Sequence, residues 1–494
     1  MATRPLSAEP SVSWRLDPNC AAQTQGLVAS PFAHLPRGVA CFLQIPEGAG
    51  GAWLNTLRRA VPVTDASGKV DGPCAALAFT WTGLAAMGLD HEALNSFTAP
   101  FKEGMFQIDR RRRLGDAEGV IVPNGLAWSS GAAPKTAPTQ VHAVLLLYET
   151  DDVALATVKA KAEAALSAHG VGVALEISLN LHFDAGRSTA REHFGFADGI
   201  SQPVPFGPEI LGPDGSPISA DPWHGIPAGD LLIGHVDAHG EPAPGPVVRA
   251  VRDQGQILPQ NLAPEGFRDL GTNGTYLVIR ELHQDVAGFW NGVAAAAKTL
   301  GDPNIDPLSL AERVIGRTLD GDPLSPGTPL PPSDGLTANG FGYRDRDPNG
   351  LGCPMGSHIR RSNPRDGLAP TPELASAMLG SVNMHRILRR GRSFGPPIAD
   401  RNVDDGQSRG LLFMAINTDL VRQFEFVQQN WIMNRTFAVI QDETDPLLGT
   451  DGHFTIPKLP VRRRAQVTPA VKLAGGDYFF LPGFMALDYL GSLT

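Results

Sequence analysis

Residues 349–367, NGLGCPMGSHIRRSNPRDG, combine side chains that could bind a flat ligand with a metal at its centre. His358 is the imidazole of this segment, glycines around it allow the backbone to approach a ligand closely, and Arg360 and its neighbouring arginines suit carboxylates. Haem offers an iron to an imidazole nitrogen and propionates to guanidinium groups. The alternative is a surface loop in which His358 makes only local hydrogen bonds, and this segment alone leaves both interpretations open.

Two further segments carry charged residues in unusual settings. Residues 191–207, REHFGFADGISQPVPFG, place Asp198 in a glycine-rich stretch where the backbone can approach a ligand, although an Asp-Gly pair also occurs in ordinary turns. Residues 383–397, NMHRILRRGRSFGPP, place Arg389 and Arg390 in a short strand-like stretch. A buried guanidinium there needs a carboxylate or an oxyanion to offset its desolvation.

Other potential ligands have simpler interpretations. Cys353 lies five residues before His358 and raises the alternative of a thiolate-ligated haem, but a buried cysteine in a turn describes it better. His193 and His385 are interpreted as hydrogen-bonded or packed side chains near the candidate site. His358 therefore remains the preferred candidate ligand.

Composition narrows the class of protein. The chain has 494 residues, of which 42% are hydrophobic and 19% charged, which is typical of globular proteins with a large core. Its formal charge of −10 argues against nucleic acid or an anionic membrane as a partner. The four cysteines lack CxxC spacing, so neither structural zinc nor a disulfide framework is favoured. With neither a long apolar segment nor an apolar signal core, we expect a cytoplasmic protein without a membrane span.

The first half of the chain alternates strand and helix patterns. Buried strands are predicted at residues 38–46, 74–81, 141–148 and 171–179, with helices after the first and third. The second helix has Thr150 as a possible cap and Gly170 as its stop. The order strand, helix, strand, strand, helix, strand is that of a ferredoxin-like fold.

The second half repeats this pattern, with strands predicted at residues 274–282, 410–417 and 477–482. Helices are predicted at residues 285–299 and directly after the strand 410–417. The fold class is therefore α+β, with duplicated ferredoxin-like halves of the dimeric α+β barrel type whose antiparallel sheets surround a pocket. We predict an N-terminal arm at 1–36, a first half at 37–207, a linker at 208–230 and a second half at 231–494. Two inserts at 301–352 and 363–376 lack apolar periodicity, and such long loops are usually functional.

Taken in order, GFADG, GSHIRRSNPR and HRILRRGRSFG resemble the motifs of dye-decolourising peroxidases, a family of haem peroxidases. The resemblance continues through GTYLVIRELHQDV, GLLFMAIN with FEFVQQNW behind it, and GGDYFFLPGFMAL. It covers most of residues 36–494, and the long inserts are similar to those of the larger members. The resemblance implies haem b, iron protoporphyrin IX, as the cofactor.

The resemblance also implies roles for individual residues. His358 matches the proximal iron ligand and Asp198 the distal acid. Arg389 matches the distal arginine, with the adjacent Arg390 as the alternative for that role.

Four further positions match residues around the haem. Leu411 and Phe413 match the apolar lining of the distal side, and Arg360 matches a propionate partner. Asp445, in DPLLG, is a weaker match to the acid that hydrogen-bonds the proximal imidazole and makes it more basic.

These residue types suit the reduction of hydrogen peroxide. Peroxide must lose a proton from one oxygen and regain it on the other. Asp198 can accept the proton from the first oxygen and donate it to the second. Carboxylates remain basic at acid pH, where an imidazole with a pKa of ~6.5 is protonated, so we expect an acidic optimum. The permanent charge of Arg389 would stabilise the negative charge that develops as the O–O bond breaks.

The expected electron donors are phenolic or dye-like. Because large dyes cannot enter such a pocket, electrons would have to pass through surface aromatics. Trp431 matches a relay tryptophan, whereas its helical spacing with Leu420, Phe424 and Val427 favours core packing. Phe394 replaces the tyrosine of a common family motif and cannot form a phenoxyl radical.

The alternative function is a haem-binding or haem-handling protein that uses the same pocket for storage or iron release without significant turnover. A cofactor-free interaction module is a third hypothesis. The sequence leaves open the physiological donor, any export or encapsulation route, and the oligomeric state, for which a homo-oligomer is one option.

Overall fold

The structure is a computed structural model that describes residues 16–130, 139–184, 189–206, 223–261, 265–324, 339–458 and 460–494. Most of the predicted linker, 208–230, and residues 1–15 of the predicted arm lie outside these ranges. Among the helices in the described ranges, none is both long and apolar enough to cross a membrane.

The first half contains a four-stranded antiparallel sheet. Along the sheet the strands follow the order second, third, first, fourth, which is the ferredoxin-like arrangement predicted from the sequence. Every residue of the second and third strands is buried, which explains their continuous apolar sequences. In chain order the strands are Arg37–Gln44, Cys74–Phe79, Ala143–Glu149 and Gly172–Ser178.

Two helices, Ala52–Ala60 and Asp152–Ser167, cover this sheet and pack against each other. The cap of the second helix is Asp151 and not the predicted Thr150, because the Asp151 carboxylate accepts hydrogen bonds from two backbone N–H groups of the first turn. Gly170 follows the end of the helix in the left-handed region, with a φ of 72°. Four shorter helices separate the second and third strands: Trp81–Ala86, His91–Ser96, Ala99–Glu103 and Ile108–Arg113.

The second half builds the same arrangement. Val471–Leu481 lies beside Thr275–Gln284, which pairs with Gly410–Asn417, and two short strands complete the edge. Phe480 pairs with Phe79, so the two halves form one continuous sheet. The two short edge strands are Leu388–Arg389 and Arg392–Phe394.

The helices of the second half differ from the prediction in two places. Val286–Leu300 matches it, but the insert predicted to lack periodicity contains the helix Pro307–Ile315, which Asp306 caps. The helix predicted after Gly410–Asn417 is π-helical over Val421–Glu425 and Val427–Ile432. Such wide turns are rare and often lie at functional sites.

Side chains on the strands alternate between two cores. On one face Phe42 packs against Trp128 and Phe479, with ring centroids 4.4 and 6.4 Å apart, so both halves share this core. Leu412 and Met414 also lie in this core, and the residues that alternate with them face the opposite side. The longer helices Ala52–Ala60, Asp152–Ser167 and Val286–Leu300 pack on that opposite side.

The described part of the predicted arm packs into the molecule. Leu27, Val28 and Phe32 are buried in the core that the two halves share. The carbonyl groups of Leu27 and Val28 accept hydrogen bonds of 2.7 Å from Arg390, which fixes this segment to the second half.

The remaining elements are short. The helices are Pro18–Gln23, Gly26–Ala29, His358–Ser362, Ala375–Asn383 and Phe484–Gly491, with 3-10 turns at Glu118–Val120, Ala228–Asp230, Ala250–Arg252 and Pro372–Leu374. The strands are Trp128–Ser129, Thr139–Gln140, His182–Phe183, Ala190–Arg191, Val204–Phe206, Gly225–Pro227, Val247–Arg249, Phe267–Asp269, His453–Ile456 and Arg463–Gln466.

Candidate functional site

A cavity lies against the face of the second-half sheet that carries Leu411 and Phe413. These two side chains point into it because they alternate with Leu412 and Met414, which lie in the shared core. The wide π-helical turns contribute a second wall, and the short helix His358–Ser362 a third. Five of the residues predicted for the site line this cavity: Asp198, His358, Arg389, Leu411 and Phe413.

His358 is held by a buried carboxylate. Its Nδ1 lies 2.9 Å from Oδ2 of Asp445, which is fully buried. The other oxygen of Asp445 accepts hydrogen bonds from the backbone N–H groups of Leu447 and Leu448 at 2.9 and 3.0 Å. The carboxylate is therefore rigidly placed, and its contact with Nδ1 leaves Nε2 of His358 as the nitrogen available to a metal.

The charge of Asp445 depends on its neighbours. Burial opposes ionisation, but the hydrogen bond and charge of His358, together with the Arg361 guanidinium, outweigh burial and lower the pKa of the Asp445 carboxyl. An ionised carboxylate at this position makes the His358 imidazole a stronger electron donor.

Asp198 and Arg389 form an ion pair at the cavity wall. Nη1 of Arg389 lies 3.2 Å from Oδ1 of Asp198, and about a third of each side chain is exposed, 38% for Arg389 and 33% for Asp198. The Arg389 guanidinium also donates to Ser201 O, and the Arg389 backbone N–H donates to Oε1 of Gln202. This pair can hold and stabilise a small polar molecule in the cavity.

Arg390 lies outside the cavity. Its side chain is buried and donates to the carbonyl groups of the N-terminal segment, and burial lowers its pKa to about 9. Adjacent strand residues point to opposite faces, so only Arg389 of this pair faces the cavity.

The structure does not bring Arg360 to the cavity wall. Its guanidinium is buried and donates to Cys353 O and to the carbonyl and carboxylate of Asp347, at 2.7 to 3.3 Å. It also stacks on Tyr343, 4.2 Å from the ring centroid. On the short helix His358–Ser362, residue 360 points away from residue 358, which explains this placement.

Other arginines line the cavity instead. Arg317 is buried and donates to Gly321 O and Asn339 Oδ1 at 2.6 and 2.8 Å, and burial lowers its pKa. Arg365 lies at the same wall and donates to two carbonyl groups. Arg365 stands in the glycine-rich segment of His358, but Arg317 lies in an insert without a recognisable motif.

Glu192 is a cavity residue that the sequence did not single out. Its carboxylate accepts hydrogen bonds from the backbone N–H groups of Phe194 and Phe196, both at 2.9 Å, and from the Gln284 side chain at 2.7 Å. These bonds tie the GFADG segment to the strand Thr275–Gln284. The sequence REHFGF contains a signal for these bonds, because a carboxylate side chain can accept hydrogen bonds from backbone N–H groups a few residues later in the chain.

Glu192 should make stability depend on pH. Burial raises the pKa of its carboxyl from 4.5 to about 7. Between these values the folded protein binds more protons than the unfolded chain, so stability should fall as the pH rises from about 5 to about 7. Urea unfolding at a series of pH values measures the free energy of unfolding. In Glu192→Gln this free energy should lose the decrease due to Glu192, whereas the control Glu118→Gln, at an exposed position, should keep it. Identical pH dependence in both variants would contradict the assignment.

The other candidate residues have structural contacts. Cys353 is fully buried, its pKa is raised by burial, and it does not line the cavity. His193 Nε2 lies 2.8 Å from Phe394 O, and burial lowers its pKa to about 4. His385 lines the cavity, stacks on Phe426 at 3.7 Å and contacts the edge of the buried Trp431 at 5.3 Å.

The chemistry of the cavity fits a haem. The walls are largely apolar, Nε2 of His358 is available to a metal, and guanidinium groups line the same cavity for acidic substituents. A flat apolar macrocycle with a central metal and carboxylates on its rim would find a partner for each of its parts.

Comparison with known proteins identifies relatives of this chain. No protein-family model matches the chain. It is 30% identical over 446 residues to the multifunctional dye peroxidase DyP2 of Amycolatopsis sp., covering 86% of this chain and 83% of that protein. It is 28% identical over 458 residues to a dye-decolorizing peroxidase of Mycena epipterygia, covering 84% of this chain and 76% of the relative.

Solved structures with a similar fold belong to the same group of proteins as these sequence relatives. DyP2 from Amycolatopsis sp. has a TM-score of 0.69 at 25% identity, over 97% of this chain and 98% of that one. A DyP-type peroxidase from Anabaena sp., at 21% identity, shares the fold with a TM-score of 0.70 over 96% of this chain and 95% of that one. Because similarity in sequence and fold extends over most of both chains, this protein belongs to the dye-decolorizing peroxidase family, whose members are haem-dependent peroxidases.

Proposed function

We propose that this protein binds haem b through Nε2 of His358, reduces hydrogen peroxide and oxidises phenolic or dye-like donors. The observation that carries the proposal is one cavity lined by both an imidazole held by a buried carboxylate and a carboxylate paired with a guanidinium. The imidazole of the first pair would hold the iron of a haem, and the second pair would bind peroxide.

The orientation of the proposed iron ligand His358 depends on Asp445. Its carboxylate, 2.9 Å from Nδ1, would hold the imidazole ring in one orientation and keep the proton on Nδ1. The resulting electron-rich ligand favours the ferric state of a bound haem.

On the side of Asp198 and Arg389, a bound haem would supply the electrons for cleavage of the O–O bond of peroxide. Asp198 takes the proton from one peroxide oxygen and returns it to the other. Arg389, already 3.2 Å from Asp198, stabilises the negative charge that develops on the departing oxygen. Leu411 and Phe413 keep water and bulky molecules away from the reacting atoms. Because a carboxylate remains basic under mildly acidic conditions, we expect an acidic optimum.

Arg389→Leu should slow the reaction with peroxide by about 10²–10³-fold, the usual cost of removing one donor that stabilises developing charge. Stopped-flow absorbance of the haem band under excess peroxide measures this rate. Arg390→Leu tests the alternative assignment, because Arg390 binds only backbone carbonyl groups outside the cavity. A larger rate decrease in Arg390→Leu than in Arg389→Leu, at equal haem content, would reverse the assignment.

The propionates need partners other than Arg360, because Arg360 does not line the cavity and its guanidinium binds Asp347 and Cys353 instead. We propose Arg317 and Arg365 for this role, since both line the cavity. Their bonds to main-chain carbonyl groups hold the guanidinium planes in place before any ligand binds.

The names of related proteins suggest the donor class. One relative is called a multifunctional dye peroxidase, and a dye-decolorizing peroxidase of the same fold has been solved with 2,6-dimethoxyphenol. We propose phenols of this size as donors for the present protein.

Reconstitution with haemin followed by hydrogen peroxide and 2,6-dimethoxyphenol tests the function. We expect a haem absorption band, its change on addition of peroxide, and oxidation of the phenol well above that by free haemin. Bound haem without phenol oxidation above free haemin would support the alternative of haem storage or iron release.

A further inference from the structure

Tyr478 is buried beside a carboxylate in the core next to the cavity. The tyrosine is 1% exposed and Glu425 4%. The Tyr478 hydroxyl donates a hydrogen bond of 2.7 Å to Oε1 of Glu425. The same oxygen accepts a bond of 2.6 Å from Nε of Arg110, and Arg110 also contacts Glu103 at 3.0 Å. The phenol therefore has a fixed proton acceptor in a dry environment.

One aromatic ring separates Tyr478 from the cavity. The Phe424 ring lines the cavity and stands edge-on to Tyr478 with centroids 6.2 Å apart. Phe413, also in the cavity wall, lies 6.2 Å from Phe424 on the other side. This short distance through packed rings favours electron transfer between Tyr478 and a group bound in the cavity.

We propose that Tyr478 is a redox-active residue that gives one electron to the oxidised haem site while its phenolic proton moves to Glu425. This inference rests on the proposed haem peroxidase function, which supplies hydrogen peroxide as the oxidant. The O–H bond of Tyr478 breaks, an O–H bond forms on Glu425 Oε1, and a neutral phenoxyl radical remains. An electron from a donor and the proton from Glu425 restore both residues.

The acceptor is needed because a phenol that has lost an electron is a strong acid. In a buried core a proton cannot escape to water, and without an acceptor the separated charge would be costly. The hydrogen bond to Glu425 moves the proton by a small distance and leaves the ring neutral. Arg110 then keeps a partner in Glu103 while Glu425 is protonated.

The other tyrosines lack this arrangement. The chain has five, and all five lie in the described ranges. Among those residues, only the Tyr478 hydroxyl donates to a carboxylate. Tyr343 contacts the Cys353 sulfur at 4.0 Å, and the Tyr148 hydroxyl is buried without a hydrogen-bond partner in the described structure. Tyr148→Phe is therefore a matched control, since it removes a buried hydroxyl that has no acceptor.

The test is freeze-quench electron paramagnetic resonance of the haem-loaded enzyme after one equivalent of hydrogen peroxide, without a donor. Growth on ring-deuterated tyrosine identifies a tyrosyl signal by the change in its hyperfine structure. We expect this signal in the wild type and in Tyr148→Phe, and its loss in Tyr478→Phe. Glu425→Gln should lower the radical yield while the haem still reacts with peroxide.

A label-sensitive signal of unchanged intensity in Tyr478→Phe, or none in the wild type, would overturn the inference. If Tyr478→Phe does not fold, Glu425→Gln decides instead, because only Tyr478 among the described tyrosines donates to this carboxylate. A tyrosyl signal of unchanged intensity in Glu425→Gln would then overturn the inference. High-field spectra report whether the phenoxyl oxygen carries an exchangeable hydrogen bond, and a radical without one contradicts the Glu425 pair. A haem that does not react with peroxide refutes the proposed function and this inference with it, whereas a reacting haem without a Tyr478 radical refutes the inference alone.

Discussion

Asp198→Asn should react with hydrogen peroxide about 10²–10⁴-fold more slowly than the wild type, the range expected for loss of a general acid–base group. The amide has nearly the same shape and can still contact Arg389, but it cannot accept the peroxide proton. Haem content and the resting spectrum should remain unchanged. Stopped-flow measurement of the second-order rate constant gives the effect directly.

A matched control comes from an ion pair outside the cavity. Asp405 pairs with Arg409 at 2.6 Å and does not line the cavity, so Asp405→Asn makes the same chemical change elsewhere. Its rate constant should equal that of the wild type. Glu192 also lines this cavity, and the other lining carboxylate, Asp116, is paired with Arg280, so Glu192 is the second base to test. An undiminished rate in the double variant Asp198→Asn, Glu192→Gln would remove the proposed proton transfer.

His358→Ala should bind haem at least about 10–100-fold more weakly than the wild type, since even loss of a residue that only supports a metal ligand has an effect of that size. The remaining haem should lose its imidazole-type spectrum, and added imidazole should restore part of it. Haem titration followed by absorbance measures the affinity. His91→Ala, at an exposed helix start, controls for the substitution itself.

The fold was largely predictable because its signals are local. Continuous apolar runs such as CAALAF predict strands buried on both faces, and the structure confirms the duplicated ferredoxin-like order. The helix Pro307–Ile315 was missed because it lies in an insert rich in glycine and proline, although Asp306 before a proline is a clear start signal. The π-helical turns were missed because their apolar spacing also fits an α-helix.

The placement of a candidate residue at the cavity was predictable where a motif fixes that residue to a strand or a loop. Asp198, Arg389 and His358 come from segments far apart in the sequence, and the fold places all three at one cavity. Arg360 differs because its placement depends on the direction of a five-residue helix and on the competing Asp347, neither of which the motif encodes. Arg317 and Glu192 were missed because their position at the cavity depends on contacts between distant segments.

The central claim is that Nε2 of His358 is the axial ligand of a haem in this cavity. Electron–nuclear double resonance of the ferric protein containing ¹⁵N-histidine measures the axial nitrogen directly. We predict a strongly coupled ¹⁵N signal in the wild type that disappears in His358→Ala and returns as a ¹⁴N signal with unlabelled imidazole. A ¹⁵N coupling that persists in His358→Ala would show that another histidine binds the iron, and would contradict the account.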